Sequence, residues 1–181
     1  MNRKIATIAG AVLSLSVFMT ACKKHKHDDH NHDEEELITN VRLKVFKQNN
    51  PVGEYVWDDP DGNGGNAPKI DTIRLKAADS TYRVNVEFRN PEEDKTPEIK
   101  KEKDDHEMYY ENREGLNLAY TIIDKDSKGR NLGLESDWKI QNANDGKVKI
   151  TLKHKPGSKG DNDPVTKGET DIEVNFPVIV E

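Results

Sequence analysis

Tyr82, Val84, Val86 and Phe88 alternate with Arg83, Asn85, Glu87 and Arg89, and this strict period of two restricts the fold more than any other feature. Successive side chains of a strand point to opposite faces, so such a run has one face suited to a core and one to water. The pattern recurs. Val41, Leu43 and Val45 alternate with Arg42 and Lys44, and Leu116, Leu118, Tyr120 and Ile122 share one side. So do Val148, Ile150 and Leu152, and the terminal set Ile172, Val174, Phe176, Val178 and Val180. Shorter strands are expected over 52–57, at Ile73 and Leu75, and from Trp138 through Ile140. Tyr82 and Phe88 are read as core.

Turn chemistry separates these runs. Asn49, Asn50 and Pro51 mark one turn, Ala77 to Ser80 a hairpin, Asp124 to Gly129 a turn, and Asp145-Gly146 a tight hairpin leading into Val148. Lys147, Lys149, Lys153 and Lys155 stand outward as a basic face, with His154 near its end, and 155–168 should be an exposed loop. Pro177 favours a sheet edge or an irregularity. The expected fold of residues 37–181 is all-β: an immunoglobulin-like antiparallel β-sandwich with one short helix. A small open barrel is the alternative.

The helix is expected from Thr96 as cap, Pro97 at the first helical position and Glu98 near the positive end of the dipole, running toward Tyr110. On such a helix Ile99, His106 and Tyr110 share a face and Glu102 lies one turn before His106. Glu102 and His106 are therefore a secondary candidate metal pair, short of a third ligand. The competing reading has His106 covering a sheet edge with Glu102 as its surface partner.

A second candidate lies in DDPDGNGGNAP, residues 58–68. Asp59, Asp61, Asn63 and Gly64 match the opening of a calcium loop, where oxygen ligands alternate and glycine permits the reversal. Ile70 stands at the twelfth position, where Glu would coordinate through both oxygens, and Pro60 stiffens the start. A Gly/Asn/Asp turn without an ion is the competing reading.

Before the first strand the chain has a different character. Arg3 and Lys4 precede an apolar run from Ile5, and Cys22 follows Met19-Thr20-Ala21, the pattern of a secretory leader over residues 1–21. It also resembles a bacterial lipoprotein leader, in which Cys22 would carry the lipid and hold the protein at a membrane. Residues 22–36 read CKKHKHDDHNHDEEE and have no aliphatic or aromatic hydrocarbon side chain, so they are expected to form a solvated tether. Within it His25, His27, His30 and His32, with Asp28 and Asp29, offer imidazole nitrogens and carboxylate oxygens. Imidazole favours Zn2+ or Cu2+, whereas an all-oxygen set would favour Ca2+. No spacing in the tract fixes a tetrahedron, so it suggests ion capture or a hydrophilic spacer.

Charge narrows the partners. The full chain carries -6, and removing Arg3 and Lys4 with the leader leaves -8. That sign argues against nucleic acid, since counterion release needs a positive footprint. One cysteine excludes an internal disulfide. No GxSxG elbow, HExxH pair, phosphate loop or paired-cysteine site occurs, so no catalytic residues and no enzymatic activity are expected.

EEELIT at 34–39, DPDGNGGNAP, LKAADSTYRVNVEF, IKKEKDDHEMYY and GETDIEVNFPVIVE together resemble a group of lipoproteins from flavobacteria and their relatives. Members are often labelled as having a type 1 periplasmic-binding fold, which has two α/β lobes in a longer chain; the strand periodicity here favours a sandwich. The resemblance implies an envelope location and an accessory role beside an outer-membrane transporter; together with the leader pattern, the expected location is the bacterial outer membrane, lipid-anchored, on either its periplasmic or its surface-facing side. The acidic tract after Cys22 also resembles signals that send such lipoproteins to the outer surface. Two classes of function follow: an envelope-anchored binding lipoprotein that captures Zn2+ or Cu2+, or a structural or adhesive sandwich that binds protein or glycan.

Overall fold

Two sheets share their apolar faces in one hydrophobic core. In the computed structural model the described residues are 37–62, 64–76 and 81–181, all within one compact unit, Asp33–Glu181. Cys22, the tract residues His25, His27, Asp28, Asp29, His30 and His32, and Asn63 of the glycine-rich loop lie outside the described residues.

The first sheet contains β1 (Asn40–Lys47), β2 (Asn50–Asp58), β3 (Lys69–Ile70), β5 (Thr81–Arg89), β7 (Leu118–Ile122) and β8 (Glu135–Ile140), in the order β3-β2-β1-β5-β8-β7. The second contains β4 (Ile73–Leu75), β6 (His106–Arg113), β9 (Gly146–His154) and β10 (Glu169–Val180), in the order β4-β10-β9-β6. One short helix, α1 (Thr96–Lys101), stands between β5 and β6. The period-two sets point inward as expected: Val41, Leu43, Val84, Phe88 and Trp138 from the first sheet meet Val148, Ile150, Leu152, Val174 and Phe176 from the second in one cluster. Each fully buried aliphatic or Phe side chain contributes roughly 1.5–3 kcal/mol, so this cluster dominates the stability. Among the described residues no helix is long and apolar enough to cross a membrane.

Several local expectations are corrected. The β1–β2 turn falls on Gln48 and Asn49, both with positive φ (50° and 65°), while Asn50 and Pro51 already belong to β2. Two successive positive-φ residues match the twist of a two-residue hairpin. Asp145-Gly146 does not make the expected hairpin, because β8 and β9 lie in different sheets; β4 and β5 likewise lie in different sheets, and the turn expected at Ala77–Ser80 lies outside the described residues. Gly146 is instead a close-approach point: a Cβ there would come within 2.5 Å of Arg113 O and 2.4 Å of Leu116 N. Nor are the sheets wholly antiparallel, since β4 pairs with β10 in parallel. Pro177 sits just before the three residues of β10 that β4 covers, so its missing N–H costs no bond on that side.

The helix is the largest correction. It ends at Lys101, its N-cap is Lys95 without a side-chain cap bond, and Thr96 is already helical. The Thr96 hydroxyl is engaged elsewhere, accepting from Phe88 N at 2.9 Å. Six residues cannot sustain a helix alone, and the run from His106 onward gains a full antiparallel ladder with β9. Lys155 is corrected too. It is fully buried, with Nζ 2.6 Å from Glu107 Oε2 and over the Tyr109 ring.

Candidate metal centre

His106 opens β6 and His154 closes β9, and the two are direct partners in the ladder. Both have the parity of Met108 and Leu152, which face the core, so the histidines occupy the last inward positions at one end of the sheet. Their rings stack with centroids 4.6 Å apart and planes within 9°. Glu102, the C-cap of α1, is brought beside them by the short turn in which Asp105 N donates to Glu102 O at 2.9 Å. One ligand atom from each of Glu102, His106 and His154 lies within 4.8 Å of the others.

His106 has no exposed surface, and burial pushes its imidazole down to about 4, with the neighbouring His154 adding to the effect and the bond to Glu102 opposing it. The ring is therefore neutral near pH 7. Its Nδ1 lies 3.1 Å from Glu102 O. A carbonyl oxygen only accepts, so Nδ1 carries the proton and Nε2 presents a bare lone pair. That Nε2 has no hydrogen-bond partner and stands 3.5 Å from Asp171 Oδ2, with both side chains closed to solvent. His154 is only 9% exposed and its Nδ1 is likewise without a partner. Two buried imidazole nitrogens without hydrogen bonds call for an explanation, because nearly all buried polar atoms are paired.

Asp171 reaches this place through an irregularity. Thr170 pairs with Lys153 and Ile172 with Leu152, leaving Asp171 as the extra residue of a bulge in β10. A bulge lets one added side chain depart from the regular alternation.

The turn carrying Glu102 is braced by buried charge. Lys159 Nζ donates to Lys103 O at 2.8 Å and meets Asp126 Oδ2 at 3.1 Å. Arg130 Nε donates to Asp126 Oδ2 at 2.7 Å, and its other guanidinium nitrogens reach Lys159 O and Asp104 O. Burial alone would raise the Asp126 carboxyl. Bonds from the Arg130 backbone, Lys159, the Arg130 side chain and the Lys128 backbone outweigh it and hold the group well below the carboxylate range. A second tie runs from Lys155 N to Asp105 O at 2.6 Å.

The sequence-predicted ligands separate into three groups. Glu102 and His106 come together, through a turn and a strand start where a continuous helix was expected, and His154 supplies the third position. Asp59 and Asp61 form no ligand grouping with a third carboxylate or imidazole among the described residues. Asp61 instead pins its own loop, accepting from Asn66 N at 2.9 Å and Asn66 Nδ2 at 3.0 Å. The tract residues and Asn63 lie outside the described residues. Sequence reasoning missed Asp171 entirely. Reading HEMYYENR as a strand would have placed His106 on the face of Met108; nothing in the period-two pattern marks Asp171.

Compared with family models, with curated proteins and with solved structures, the chain matches none. What it is must be argued from the fold and this site: a β-rich domain of two sheets and one short helix, with a Glu/His/His cluster that could coordinate a metal ion.

Proposed function

We propose that this chain is an envelope-anchored binding lipoprotein whose folded domain captures a divalent transition metal ion between Glu102, His106 and His154. The observation that carries this reading is that one ligand atom from each of Glu102, His106 and His154 lies within 4.8 Å of the others, where two buried ring nitrogens, His106 Nε2 and His154 Nδ1, have no hydrogen-bond partner. Neutral imidazoles with a carboxylate suit Zn2+ or Cu2+ and do not suit Ca2+. The backbone carbonyl of Glu102 holds the outer nitrogen of His106, the arrangement that orients a ligating imidazole and fixes its tautomer. The two rings stack with centroids 4.6 Å apart, and neither His106 Nε2 nor His154 Nδ1 has a hydrogen bond to break on meeting an ion.

The two sheets sharing one core favour an immunoglobulin-like sandwich as the carrier of the site. Anchoring through a lipid on Cys22, at the outer membrane and beside a transporter that would receive the ion, rests on the leader pattern and the family resemblance. The histidine tract at 25–32 would concentrate ions near the domain.

The test is thermal unfolding of the purified chain in Zn2+, Cu2+ and Ca2+. An ion that binds only the folded state at about 100 times its Kd stabilises by about 2.7 kcal/mol. Zn2+ or Cu2+ should raise Tm, Ca2+ should not, and His106→Ala with His154→Ala should remove the shift. Equal Tm with and without Zn2+ and Cu2+ would refute the reading.

A further inference from the structure

Two cavities meet where an edge strand of one sheet approaches an edge strand of the other. The smaller, of 160 Å3, lies between β6 and β7 and is lined by Tyr109 and Tyr110 of the first and Tyr120 and Ile122 of the second. The larger, of 310 Å3, has Lys125, Gly129, Arg130 and Asp161 on its wall. Glu107 and Asn131 line both, so the two form one cleft, and none of Glu102, His106 and His154 lines either. The larger volume alone reaches the range of small-molecule sites, about 300–1,000 Å3.

The charges of the cleft are already committed. Arg130 gives Nε to Asp126 Oδ2 and its other nitrogens to Lys159 O and Asp104 O, and Lys125 Nζ is held by Asn131 Oδ1. Glu107 is only 5% exposed, and its Oε2 takes bonds from Lys155 Nζ at 2.6 Å and Tyr109 OH at 2.8 Å. Lys125 and Asp161 oppose each other in sign. The cleft therefore suits neither an anion nor a cation. What it offers at the junction of its two halves is one acceptor and one donor: Glu107 Oε1, and the Asn131 Nδ2 left over when Oδ1 meets Lys125.

We propose that this cleft binds a pyranose unit of a neutral saccharide, with Glu107 Oε1 and Asn131 Nδ2 taking adjacent hydroxyls and the tyrosine rings packing against the C–H face of the sugar. A sugar hydroxyl both donates and accepts, so adjacent hydroxyls use an acceptor and a donor placed together, and a bond to a carboxylate is the stronger kind. The ring faces carry negative charge density and attract the C–H groups. Tyr109, Tyr110 and Tyr120 are half-buried, so part of each ring stays accessible. Tyr110 OH donates to Gly133 O at 2.6 Å and Tyr120 OH to Asn112 Oδ1 at 2.7 Å, which fixes both rings before a ligand arrives. Those two rings already stack with centroids 5.5 Å apart, leaving no slot between them for a planar base. The saccharide site stands on these contacts alone and does not depend on metal capture.

The test is heteronuclear NMR of the full chain in excess chelator, so that the outcome is independent of any bound metal. The probes are D-glucose, D-galactose, D-mannose and N-acetyl-D-glucosamine, each as the monosaccharide and as its linear tetramer, with adenosine, inorganic phosphate and acetate as controls. At least one sugar should give saturable shifts of the Gly129 N–H and the Asn131 side-chain amide. Binding of the monosaccharide assigns a single free unit, and binding of the tetramer alone assigns a polymer as its source; either supports the site. Asn131→Ala should weaken that sugar about 3–10-fold, the loss of one hydrogen bond. Tyr120→Leu should weaken it about 10-fold, whereas Tyr120→Phe, which keeps the ring, should bind like the parent. If Tyr120→Leu folds poorly, Asn131→Ala still decides, since Asn131 is outside the core. No shift with any sugar, shifts with a control alone, or parent-like affinity in Asn131→Ala overturns the proposal.

Discussion

Asp126 Oδ2 and Lys159 Nζ meet at 3.1 Å with neither side chain reaching solvent, and the same Lys159 Nζ holds Lys103 O beside the Glu102 turn. Removing one partner of a buried pair leaves an uncompensated charge, which costs about 3–5 kcal/mol. Asp126→Ala should lower stability by that amount, with Lys159 and Arg130 left facing each other. The shift of the urea midpoint at unchanged slope measures it.

The same carboxylate gives a pH dependence. Its folded-state pKa is depressed below the unfolded value of 3.8, because Arg130, Lys159 and the Lys128 backbone outweigh both burial and the nearby Asp104 carboxylate. A depressed acid contributes stability that is fully present above the unfolded value and is lost as pH falls through the folded one. Below pH 3.8 the unfolded chain binds the extra proton, so stability should fall by up to about 1.4 kcal/mol per pH unit from this group. Urea unfolding between pH 5 and pH 2 should show a shallower loss in Asp126→Asn than in the parent; equal slopes would contradict the assignment.

The histidine tract and the folded site differ in how they couple to folding. Residues 23–36 contain no aliphatic or aromatic hydrocarbon side chain and precede the first strand, so ions held there add nothing specific to the folded state. Deletion of 23–36 should preserve cooperative unfolding and the Zn2+-dependent rise in Tm, while lowering the number of Zn2+ equivalents seen by calorimetric titration. Loss of cooperative unfolding in the deletion would show that the domain depends on the tract.

Gly168 lies at φ +81°, where a Cβ would come 2.4 Å from His154 O and 2.5 Å from Lys155 Cγ. Gly168→Ala adds left-handed strain to this clash and should cost at least about 1–3 kcal/mol. For a domain of this size that is a fall in Tm of about 2–4 °C per kcal/mol. The carbonyl that must move belongs to His154, so Zn2+ affinity should fall with it. A parent-like Tm would mean that the loop yields freely.

Cys22 is tested by location. Under the proposed lipid anchoring, Cys22→Ser should move the protein from the membrane fraction to the soluble fraction, since the proposed lipid would have no thiol to attach to. Retention of the variant in membranes after a high-salt wash would count against lipid anchoring.

The strands were legible wherever one face is apolar and the other polar, as in Thr81–Arg89 and Glu169–Val180. Which strands pair was not. Asp145-Gly146 has the local chemistry of a hairpin, yet the chain crosses there from one sheet to the other, since Val148, Ile150 and Leu152 complete the face of β10. Thr96 and Pro97 correctly marked a helix. Its end was hidden because His106–Arg113 carries apolar residues at spacings that suit either period, and only the ladder with β9 decides between them.

The site divides along the same line. By itself the sequence determined the alternating core positions, the acidic charge, the leader pattern, the histidine tract, and the nearness of Glu102 to His106, because all of these depend on residue type and short spacing. Tertiary structure alone decided that His154, 48 residues from His106 by number, becomes its stacked neighbour, that Lys155 is buried, and that Asp171 turns toward His106 Nε2. The reason is physical: strand pairing joins residues remote in the chain, and a one-residue bulge changes the direction of a side chain without altering the composition around it.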